Sequence, residues 1–472
     1  MKTAHTVAQI RAAEADLMER LPPGALMQRA ASGLAVACAG RLGRTYGARV
    51  VLLVGAGDNG ADALWTGARL AARGARVTAV LLGRPRPDAL AALLAAGGRV
   101  GGLDTADLVL DGMVGIGGRG ALRPPAAALA ELAGAYDVVA VDLPSGVDAD
   151  TGAVRGAAVH ADLTVALGTL KPGLLVGEGR VHAGAVHLVD IGLDLADPVV
   201  EVLQGPDVAR LLPRPGAGSD KYGRGVVGVA AGSQTYTGAA VLAVGAALRA
   251  GVGMVRFAGP PHAADQVRAR WPEAVVSESR GGAVVHDGRV QAWVVGPGLG
   301  TDHVAAATVE AVLAQDVPVL VDADALTLCA QHPEWLRRRS APTLLTPHDR
   351  EHGRFGRAVG TDRIAAARRL AADLGVTVLL KGDATVVVDA TGPARVNATG
   401  SPVLATAGTG DVLSGGAGAL LAQGLSPYDA GSVAAHLHGR AGTLSAGGAS
   451  TTAHGVLDAW PDAVREAARL DS

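Results

Sequence analysis

The sequence predicts an α/β protein made of two successive α/β/α sandwiches. Short apolar runs alternate with alanine-rich helical stretches in both halves of the chain. Such runs, which barely alternate between polar and apolar residues, are typical of strands buried on both faces, and their alternation with helices indicates parallel βαβ units. Residues 211–220 have the Pro and Gly density of an interdomain connection. We therefore divide the 472 residues into domains 1–213 and 214–472.

The predicted strands follow one another at regular intervals. In the first half they are residues 50–54, 77–82, 108–110, 138–141, 163–167 and 186–189. In the second half they are residues 226–230, 254–257, 292–295, 319–321, 343–345, 376–380 and 385–388, with helices predicted at 239–249 and 361–374. The longest uncharged stretch, residues 225–248, is interrupted by polar residues. It therefore predicts a strand, a loop and a helix rather than a membrane span.

Charge and composition favour small-molecule ligands. The formal net charge is −2 and the pI is about 6.7. The sequence therefore does not predict a basic surface that would bind nucleic acid or an anionic membrane. The first residues carry charges early and lack an apolar core, which excludes a normal signal peptide. Cys38 and Cys329 are far apart in sequence and fit unpaired apolar residues of a reducing compartment. We therefore expect a cytoplasmic protein.

Lysine is rare in this chain. Of 42 basic residues, only Lys2, Lys171, Lys221 and Lys381 are lysines. A compact, titratable ammonium group does chemistry that a planar guanidinium does not. An interior lysine in an arginine-rich chain therefore indicates a functional site.

In the first half, three polar loops each follow a predicted strand. They begin near Asp58, Asp111 and Asp142, and the first has the glycine turn and helix start that suit a phosphate. The carboxyl ends of parallel strands meet at one edge of the sheet, so the loops can converge on one crevice. Asp142 and Lys171 are our candidate acid–base pair. The alternatives are that Asp142 caps a strand-end turn and that Lys171 is a surface residue before Pro172.

These loops resemble those of the NAD(P)H-hydrate epimerase domain (the YjeF N-terminal family), over roughly residues 9–210. The resemblance implies a Rossmann-like fold and a K⁺ site formed by Asn59, Asp111 and Ser145. It implies substrate contacts from Asp58, Asn59, Gly60, Ala61, Asp62, Gly115, Arg119 and Asp142. Ala61 stands where the family usually has glycine, which predicts reduced epimerase activity.

In the second half, the most informative stretch is residues 397–416, which ends in an apolar helical run. Gly408 and Gly410 leave backbone N–H groups open at a helix start, where phosphate is favoured, and Asp411 can face that phosphate as a base. A simple helix cap would also place an aspartate there. Asp322 and Asp324 follow a strand and could cap the next helix or face a nucleotide, and Lys381 suits a nucleotide phosphate.

This half resembles the ribokinase-like ADP/ATP-dependent NAD(P)H-hydrate dehydratases, over roughly residues 214–470. The resemblance implies that Asp411 is catalytic and that the hydrated nucleotide contacts Ala239, Gly298, His348 and Asp411. It implies adenine-nucleotide contacts from Lys381, Gly382, Asp383, Ala384, Thr385, Gly408, Thr409 and Gly410. Asp349 and Arg350 replace the usual Pro-Gly after the histidine, which leaves the shape of that loop open.

Together the two resemblances imply a bifunctional repair enzyme. Its N-terminal domain would interconvert the R and S hydrates NADHX and NADPHX, with K⁺. Its C-terminal domain would return the S hydrate to NAD(P)H with ADP and Mg²⁺, giving AMP and phosphate. We expect a homo-oligomer, with a tetramer favoured. The preferences for NADHX or NADPHX and for ADP or ATP stay open.

Two alternatives remain at this point. The first is a ribokinase-like kinase of a small alcohol, with the N-terminal half as an accessory nucleotide-binding domain. The second is that one or both halves bind nucleotide without turnover.

Overall fold

The computed structural model describes residues 1–279 and 289–469. It contains two compact units, Thr3–Val200 and Glu201 onward, the latter together with Met1–Lys2. The division lies before the Pro/Gly-rich segment 211–220 at which the sequence analysis placed its boundary, and helix Gly205–Leu211 belongs to the C-terminal unit. Each unit is described by itself below.

The elements up to residue 200 alternate between strands and helices. In chain order they are β1 (Lys2–Ala4), α1 (Val7–Arg20), α2 (Ala25–Leu42), β2 (Arg49–Val54), α3 (Asp58–Ala72), β3 (Arg76–Leu81), α4 (Pro87–Ala95), β4 (Arg99–Val100), β5 (Leu108–Gly112), α5 (Pro124–Ala133), β6 (Val138–Val141), β7 (Leu163–Leu167), α6 (Gly177–Ala183) and β8 (Ala185–Val189). All six strands predicted for this half are present, within one or two residues of the predicted bounds.

The N-terminal sheet has the order β4-β3-β2-β5-β6-β7-β8, and its strands pair in parallel. β2 pairs with β3 on one side and with β5 on the other, so the chain order reverses between β2 and β5. In open α/β sheets, ligands bind outside the carboxyl ends of the strands at such a point. Gly60 lets α3 start close to β2, because a Cβ there would stand 2.1 Å from the Gly55 carbonyl oxygen.

The remaining elements form the C-terminal unit. They are β9 (Val200–Val202), α7 (Gly205–Leu211), β10 (Val226–Ala230), α8 (Thr237–Arg249), β11 (Met254–Gly259), α9 (Pro261–Arg270), β12 (Val275–Glu278), β13 (Ala292–Val295), α10 (His303–Leu313), β14 (Val319–Val321), α11 (Asp324–Gln331), α12 (Glu334–Arg337), β15 (Thr343–Leu345), α13 (Asp349–Gly353), α14 (Arg363–Leu374), β16 (Thr377–Leu380), β17 (Val386–Val388), β18 (Ala394–Val396), α15 (Thr409–Ala422), α16 (Pro427–Ala446) and α17 (Ala453–Arg469).

The sheet of this unit has the order β1-β9-β18-β17-β16-β15-β14-β13-β10-β11-β12. From β12 to β16 its neighbours are parallel, but β16–β17 and β17–β18 are antiparallel. The strands predicted at 376–380 and 385–388 therefore form a hairpin and not a βαβ unit. The connection between β16 and β17 is only residues 381–385, too short for the crossover that a parallel pair needs.

Helix α15 is buried along almost its whole length, and small residues allow this. A Cβ at Gly415 would stand 2.1 Å from the Ala243 carbonyl oxygen on α8, and one at Gly418 would stand 2.0 Å from Val294 Cγ2 on β13. Helix α15 therefore packs closely against a neighbouring helix and the sheet, which fixes the position of its first turn.

Two further expectations can be compared with the structure. Cys38 and Cys329 are both buried and free, as predicted. In the part of the chain that the structure describes, every helix is too short or too polar to cross a bilayer.

Candidate active sites

The N-terminal site begins with a buried carboxylate at the end of β5. Asp111 is fully buried and accepts hydrogen bonds from the Ser145 hydroxyl at 2.7 Å, the Ser145 N–H at 2.8 Å and the Met113 N–H at 3.1 Å. Burial raises the pKa of Asp111 to about 6, although these hydrogen bonds oppose the shift. Asn59 Oδ1 faces Gly115, where a Cβ would stand 2.7 Å away. The structure thus brings the predicted K⁺ ligands Asp111 and Ser145 into contact, with Asn59 nearby in the first turn of α3.

Asp142 and Lys171 form a buried ion pair. Lys171 is 0% exposed, and its ammonium also donates to the carbonyl oxygens of Leu167 at 3.0 Å and Thr169 at 3.1 Å. All three ammonium hydrogens therefore have acceptors. The reading of Lys171 as a surface residue is wrong, because the loop that carries Pro172 folds over it.

The backbone at Asp142 is also unusual. Its φ is 65°, and its carboxylate accepts the Leu167 N–H on β7 at 2.8 Å rather than capping its own turn. Within residues 1–279 and 289–469, Asp142 and Ala323 are the non-glycine residues with positive φ. Non-glycine residues in this region cost free energy and cluster at functional sites. Ala323 lies between the two carboxylates of the C-terminal site.

Two further carboxyl groups lie near this pair. Asp62 is buried, and its Oδ1 has no hydrogen-bond partner among the described residues. Burial, with the charges of Asp142, Asp58 and Glu14, raises the pKa of Asp62 well above its ordinary value. Burial and the charge of Asp142 also raise the pKa of Glu14, which lies on α1. The sequence analysis missed Glu14, for which the available signal was its place beside the apolar stripe of Ile10, Ala13 and Leu17.

The other residues predicted for the N-terminal site differ from one another in exposure and in their neighbours. The Asp58 side chain is 85% exposed and lies 3.6 Å from Arg86. Ala61 is 1% exposed and packs in the hydrophobic core rather than toward the loops. Arg119 lines a cavity of about 700 Å³ together with Gly55, Met113 and Gly146, at the ends of the strands.

In the C-terminal unit, the first turn of α15 is open. Gly408 is its N-cap at φ 89° and offers no side-chain cap, so the N–H groups of the turn are available to an anion. Asp411 is not the cap, and within the described residues it has no hydrogen-bond or ion-pair partner. Burial and the charge of Asp322 raise the pKa of Asp411 to about 7, while Lys381 opposes this. A carboxyl group with this pKa can take a proton near neutral pH.

Lys381, which follows β16, contacts carboxylates that follow β14 and β15, and it lies next to that turn. Its Nζ lies 2.7 Å from Asp322 Oδ1 and 3.6 Å from Glu351 Oε2. Burial lowers the pKa of Lys381, but these carboxylates outweigh burial, and the net shift is upward. Asp322 also accepts the Ser414 hydroxyl at 2.7 Å, so it does not cap a helix. Asp324 accepts the Gly300 N–H at 2.8 Å.

His348 is the N-cap of α13. Its Nδ1 accepts the Arg350 N–H at 3.1 Å and the Glu351 N–H at 3.2 Å, and Glu351 accepts the His348 N–H at 2.8 Å. This capping box uses the lone pair of Nδ1, and Nε2 of the half-exposed ring lies 3.5 Å from Glu351 Oε1. The histidine therefore has a structural role, and the predicted contact with the hydrated nucleotide stays a prediction.

Asp349 has a structural explanation that the sequence did not offer. It pairs with Arg363 at 2.8 Å, and Arg363 also donates to the Lys381 carbonyl oxygen at 2.9 Å. The departure from Pro-Gly thus joins the histidine loop to the loop that carries Lys381. Arg363 was not among the predicted site residues, because only the fold brings α14 to both loops.

The remaining predicted residues lie beside these loops. A Cβ at Gly410 would stand 3.8 Å from Lys381 Nζ, and one at Gly400 would stand 2.1 Å from the Asp383 carbonyl oxygen. The segment Gly382, Asp383, Ala384 and Thr385 therefore packs against the loop that precedes α15. On the other side, a Cβ at Gly298 would stand 2.9 Å from Ala239 Cβ. Thr409 donates its hydroxyl to the carbonyl oxygens of Leu404 and Thr406, which holds the start of α15 in place.

A mostly parallel sheet with a buried central helix, an open helix start and an adjacent aspartate gives the C-terminal unit a ribokinase-like fold. Comparisons with known proteins agree with this fold assignment. Residues 227–460 match the family model described as NAD(P)H-hydrate dehydratase, and residues 23–173 match that of the YjeF-related protein N-terminus.

Relatives cover both units. The bifunctional NAD(P)H-hydrate repair enzyme of Mycobacterium tuberculosis is 53% identical over 408 residues, 83% of either chain, and that of Corynebacterium glutamicum is 35% identical over 82% of this chain and 81% of the relative. The chain belongs to the family of bifunctional NAD(P)H-hydrate repair enzymes.

Solved structures match the C-terminal part of the fold. The ADP/ATP-dependent NAD(P)H-hydrate dehydratase of Bacillus subtilis, co-crystallised with ATP and Mg²⁺, has a TM-score of 0.51 and 29% identity over 56% of this chain and 97% of its own. A ribokinase-like protein of Enterococcus faecalis has a TM-score of 0.53 and 26% identity over 58% of this chain and 99% of its own.

Proposed function

We propose that the C-terminal unit dehydrates (S)-NAD(P)HX with ADP and that the N-terminal unit interconverts the R and S hydrates. The observation that carries the first part is the placement of Asp411. An unpaired carboxyl group with a pKa of about 7 stands in the open first turn of α15, beside the ammonium group of Lys381. Such a group can deprotonate an alcohol next to a bound phosphate.

The proposed reaction has two stages. Asp411 takes the proton of the C6 hydroxyl, and that oxygen attacks the β-phosphorus of ADP, whose bond to the bridging oxygen breaks to release AMP. The phosphate ester then leaves C6 as orthophosphate while C5 loses a proton, which restores the double bond of NAD(P)H. The α15 N–H groups and Lys381 stabilise the negative charge of the transferred group.

Mg²⁺ suits this site as a partner of the nucleotide. Across the described residues, the side chains form no cluster of three or more His, Cys, Asp or Glu that could hold a metal ion. Mg²⁺ is commonly bound through one or two carboxylates, substrate phosphates and water. Asp324, which is only partly buried, is the candidate carboxylate, and the ion would neutralise phosphate charge.

For the epimerase, Asp142 and Lys171 form the predicted acid–base pair. Because all hydrogens of Lys171 have acceptors, its main role in this proposal is to hold Asp142 in place. K⁺ would be bound by oxygens of Asn59, Asp111 and Ser145. The fit rests on Asp111, a fully buried carboxylate with no cationic side chain paired to it within residues 1–279 and 289–469. A cation there would offset the cost of burying its charge.

We also propose the substrates, the cellular location and the oligomeric state. The substrates are NADHX and NADPHX, the co-substrate is ADP, and the protein acts in the cytoplasm as a homo-oligomer, with a tetramer favoured.

One assay tests the function directly. The full chain is given mixed R and S hydrates with ADP, Mg²⁺ and K⁺, and both epimers, orthophosphate and reduced nicotinamide absorbance are followed. We expect both epimers to be consumed with equal release of AMP, orthophosphate and NAD(P)H. A stable phosphorylated alcohol would instead indicate a kinase, and binding without turnover would contradict the proposal.

A further inference from the structure

The cavity of the N-terminal unit is large enough for more than a nicotinamide ring. Its volume is about 700 Å³, within the range of sites that bury whole small ligands. On the strand side it is lined by Gly55, Met113 and Gly146. The Met113 N–H bonds to Asp111, and Gly146 follows Ser145, so the cavity adjoins the buried carboxylate cluster.

Three arginines also line this cavity: Arg119, Arg123 and Arg155. The segments that carry them are in contact, since a Cβ at Gly156 would stand 3.4 Å from Ala121 Cβ. Across the described residues, none of the three has an ion pair or side-chain hydrogen bond. Other arginines of the unit are paired, as Arg41 with Asp137 and Arg49 with Asp107.

The acidic residues of the same cavity do not form ion pairs with these arginines. Asp148 accepts the N–H groups of Asp150 and Thr151 and the Thr151 hydroxyl. Asp150 accepts the Val7 N–H at 2.8 Å. Asp148 thus stabilises a backbone turn and Asp150 the start of α1, and the three arginines of the cavity wall outnumber its two carboxylates.

We propose that Arg119, Arg123 and Arg155 form a phosphate subsite that binds the anionic part of the dinucleotide in the N-terminal unit. This inference rests on the proposed epimerase function and extends it to Arg123 and Arg155. Arginine suits phosphate because its planar fork donates two parallel hydrogen bonds. A pyrophosphate is common to both hydrated nucleotides, whereas a 2′-phosphate is present only in NADPHX.

The test uses the full chain without ADP, so that only R/S interconversion is measured. Arg123→Ala, Arg155→Ala and the double variant are compared with Arg73→Ala, an exposed arginine at the end of α3 outside the cavity. For each single cavity variant we expect the KM to rise about tenfold, with little change in kcat. Added salt should raise the wild-type KM, because the contacts involve exposed charges.

The two sources of phosphate give different results. A rise in KM for NADPHX alone assigns the subsite to the 2′-phosphate, and an equal rise for NADHX and NADPHX assigns it to the pyrophosphate. An unchanged KM for both substrates in the double variant overturns the proposal.

A second measurement separates this outcome from failure of the epimerase proposal. Binding of adenosine 2′,5′-bisphosphate and of pyrophosphate is measured by calorimetry on the wild type and the double variant. If the wild type binds one of them and the double variant does not, the subsite stands even when no epimerisation is seen. If the wild type and the double variant bind equally, or neither probe binds, the subsite is refuted.

Discussion

Lys381 Nζ lies 2.7 Å from Asp322 Oδ1, an ion pair that links the end of β16 to the end of β14. The same ammonium lies beside Gly410 in the first turn of α15 and lowers the pKa of Asp411 against the effect of burial. A single lysine thus connects the strand ends, the helix start and the proposed base.

Replacing this lysine tests the connection. Lys381→Met leaves Asp322 buried without its cation and removes a positive charge next to the proposed phosphate. We expect ADP-dependent dehydration to fall about 100-fold or more, with a higher KM for ADP. Epimerisation by the same protein serves as the internal control and should be unchanged. Normal dehydration by a folded Lys381→Met variant would contradict this role.

The pH dependence of dehydration follows from Asp411. The base must be ionised, and burial places its pKa at about 7, so kcat/KM should rise with pH through about 7 and level off above it. In Lys381→Met the midpoint should move upward, because the lysine lowers this pKa. Initial rates across neutral pH measure both effects. A profile that is flat across this range in the wild type would exclude Asp411 as the base.

Glu14 is expected to matter for epimerisation. It lies on α1 near Asp142 and Lys171, and Glu14→Gln removes its charge while it keeps its size. We expect R/S interconversion to slow about tenfold and its pH profile to change, because a titrating group near the pair is lost. Glu19→Gln on the same helix is the exposed control. Equal rates in the two variants would show that Glu14 is a bystander.

For Ala61 we predict that a substitution leaves activity unchanged and lowers stability. Its methyl group packs in the core, so Ala61→Gly should not raise epimerase activity, despite the family's preference for glycine. The change should destabilise the unit by about 1 kcal/mol, since glycine is a poor helix residue and a buried methyl is lost. Chemical denaturation and R/S interconversion rates measure the two effects. Faster epimerisation in Ala61→Gly would show that the methyl obstructs the site.

The central strands could be predicted because they are continuous apolar runs buried on both faces. The edge strands β4 and β12 were missed, since β4 (Arg99–Val100) is exposed on both residues and β12 (Val275–Glu278) is largely solvent-facing. Such strands have the composition of loops, and only pairing with a neighbour defines them. The antiparallel direction of β17 could have been predicted, because residues 381–384 alone separate the strands predicted at 376–380 and 385–388.

At the sites, sequence motifs located the loops but not the contacts between them. Residues 408–411 could be recognised because glycines and an aspartate at a helix start have a direct chemical meaning. The burial of Lys171 and the bridge from Arg363 to Lys381 depend on how separate segments pack. The apolar stripe of α1 indicates which way Glu14 faces, but its proximity to Asp142 and Lys171 depends on how α1 packs in the folded unit.

The most direct test of the account is Asp411→Asn in the full chain, with dehydration and epimerisation measured on one preparation. We expect ADP-dependent dehydration to fall about 1000-fold while R/S interconversion is retained. Folding should be unharmed: the folded-state pKa is raised from 3.8 to about 7, so the wild type loses stability as pH rises through this window, and the amide removes that loss. Dehydration at the wild-type rate, or equal loss of both activities in a folded variant, would contradict the assignment of Asp411 as the base of the C-terminal site.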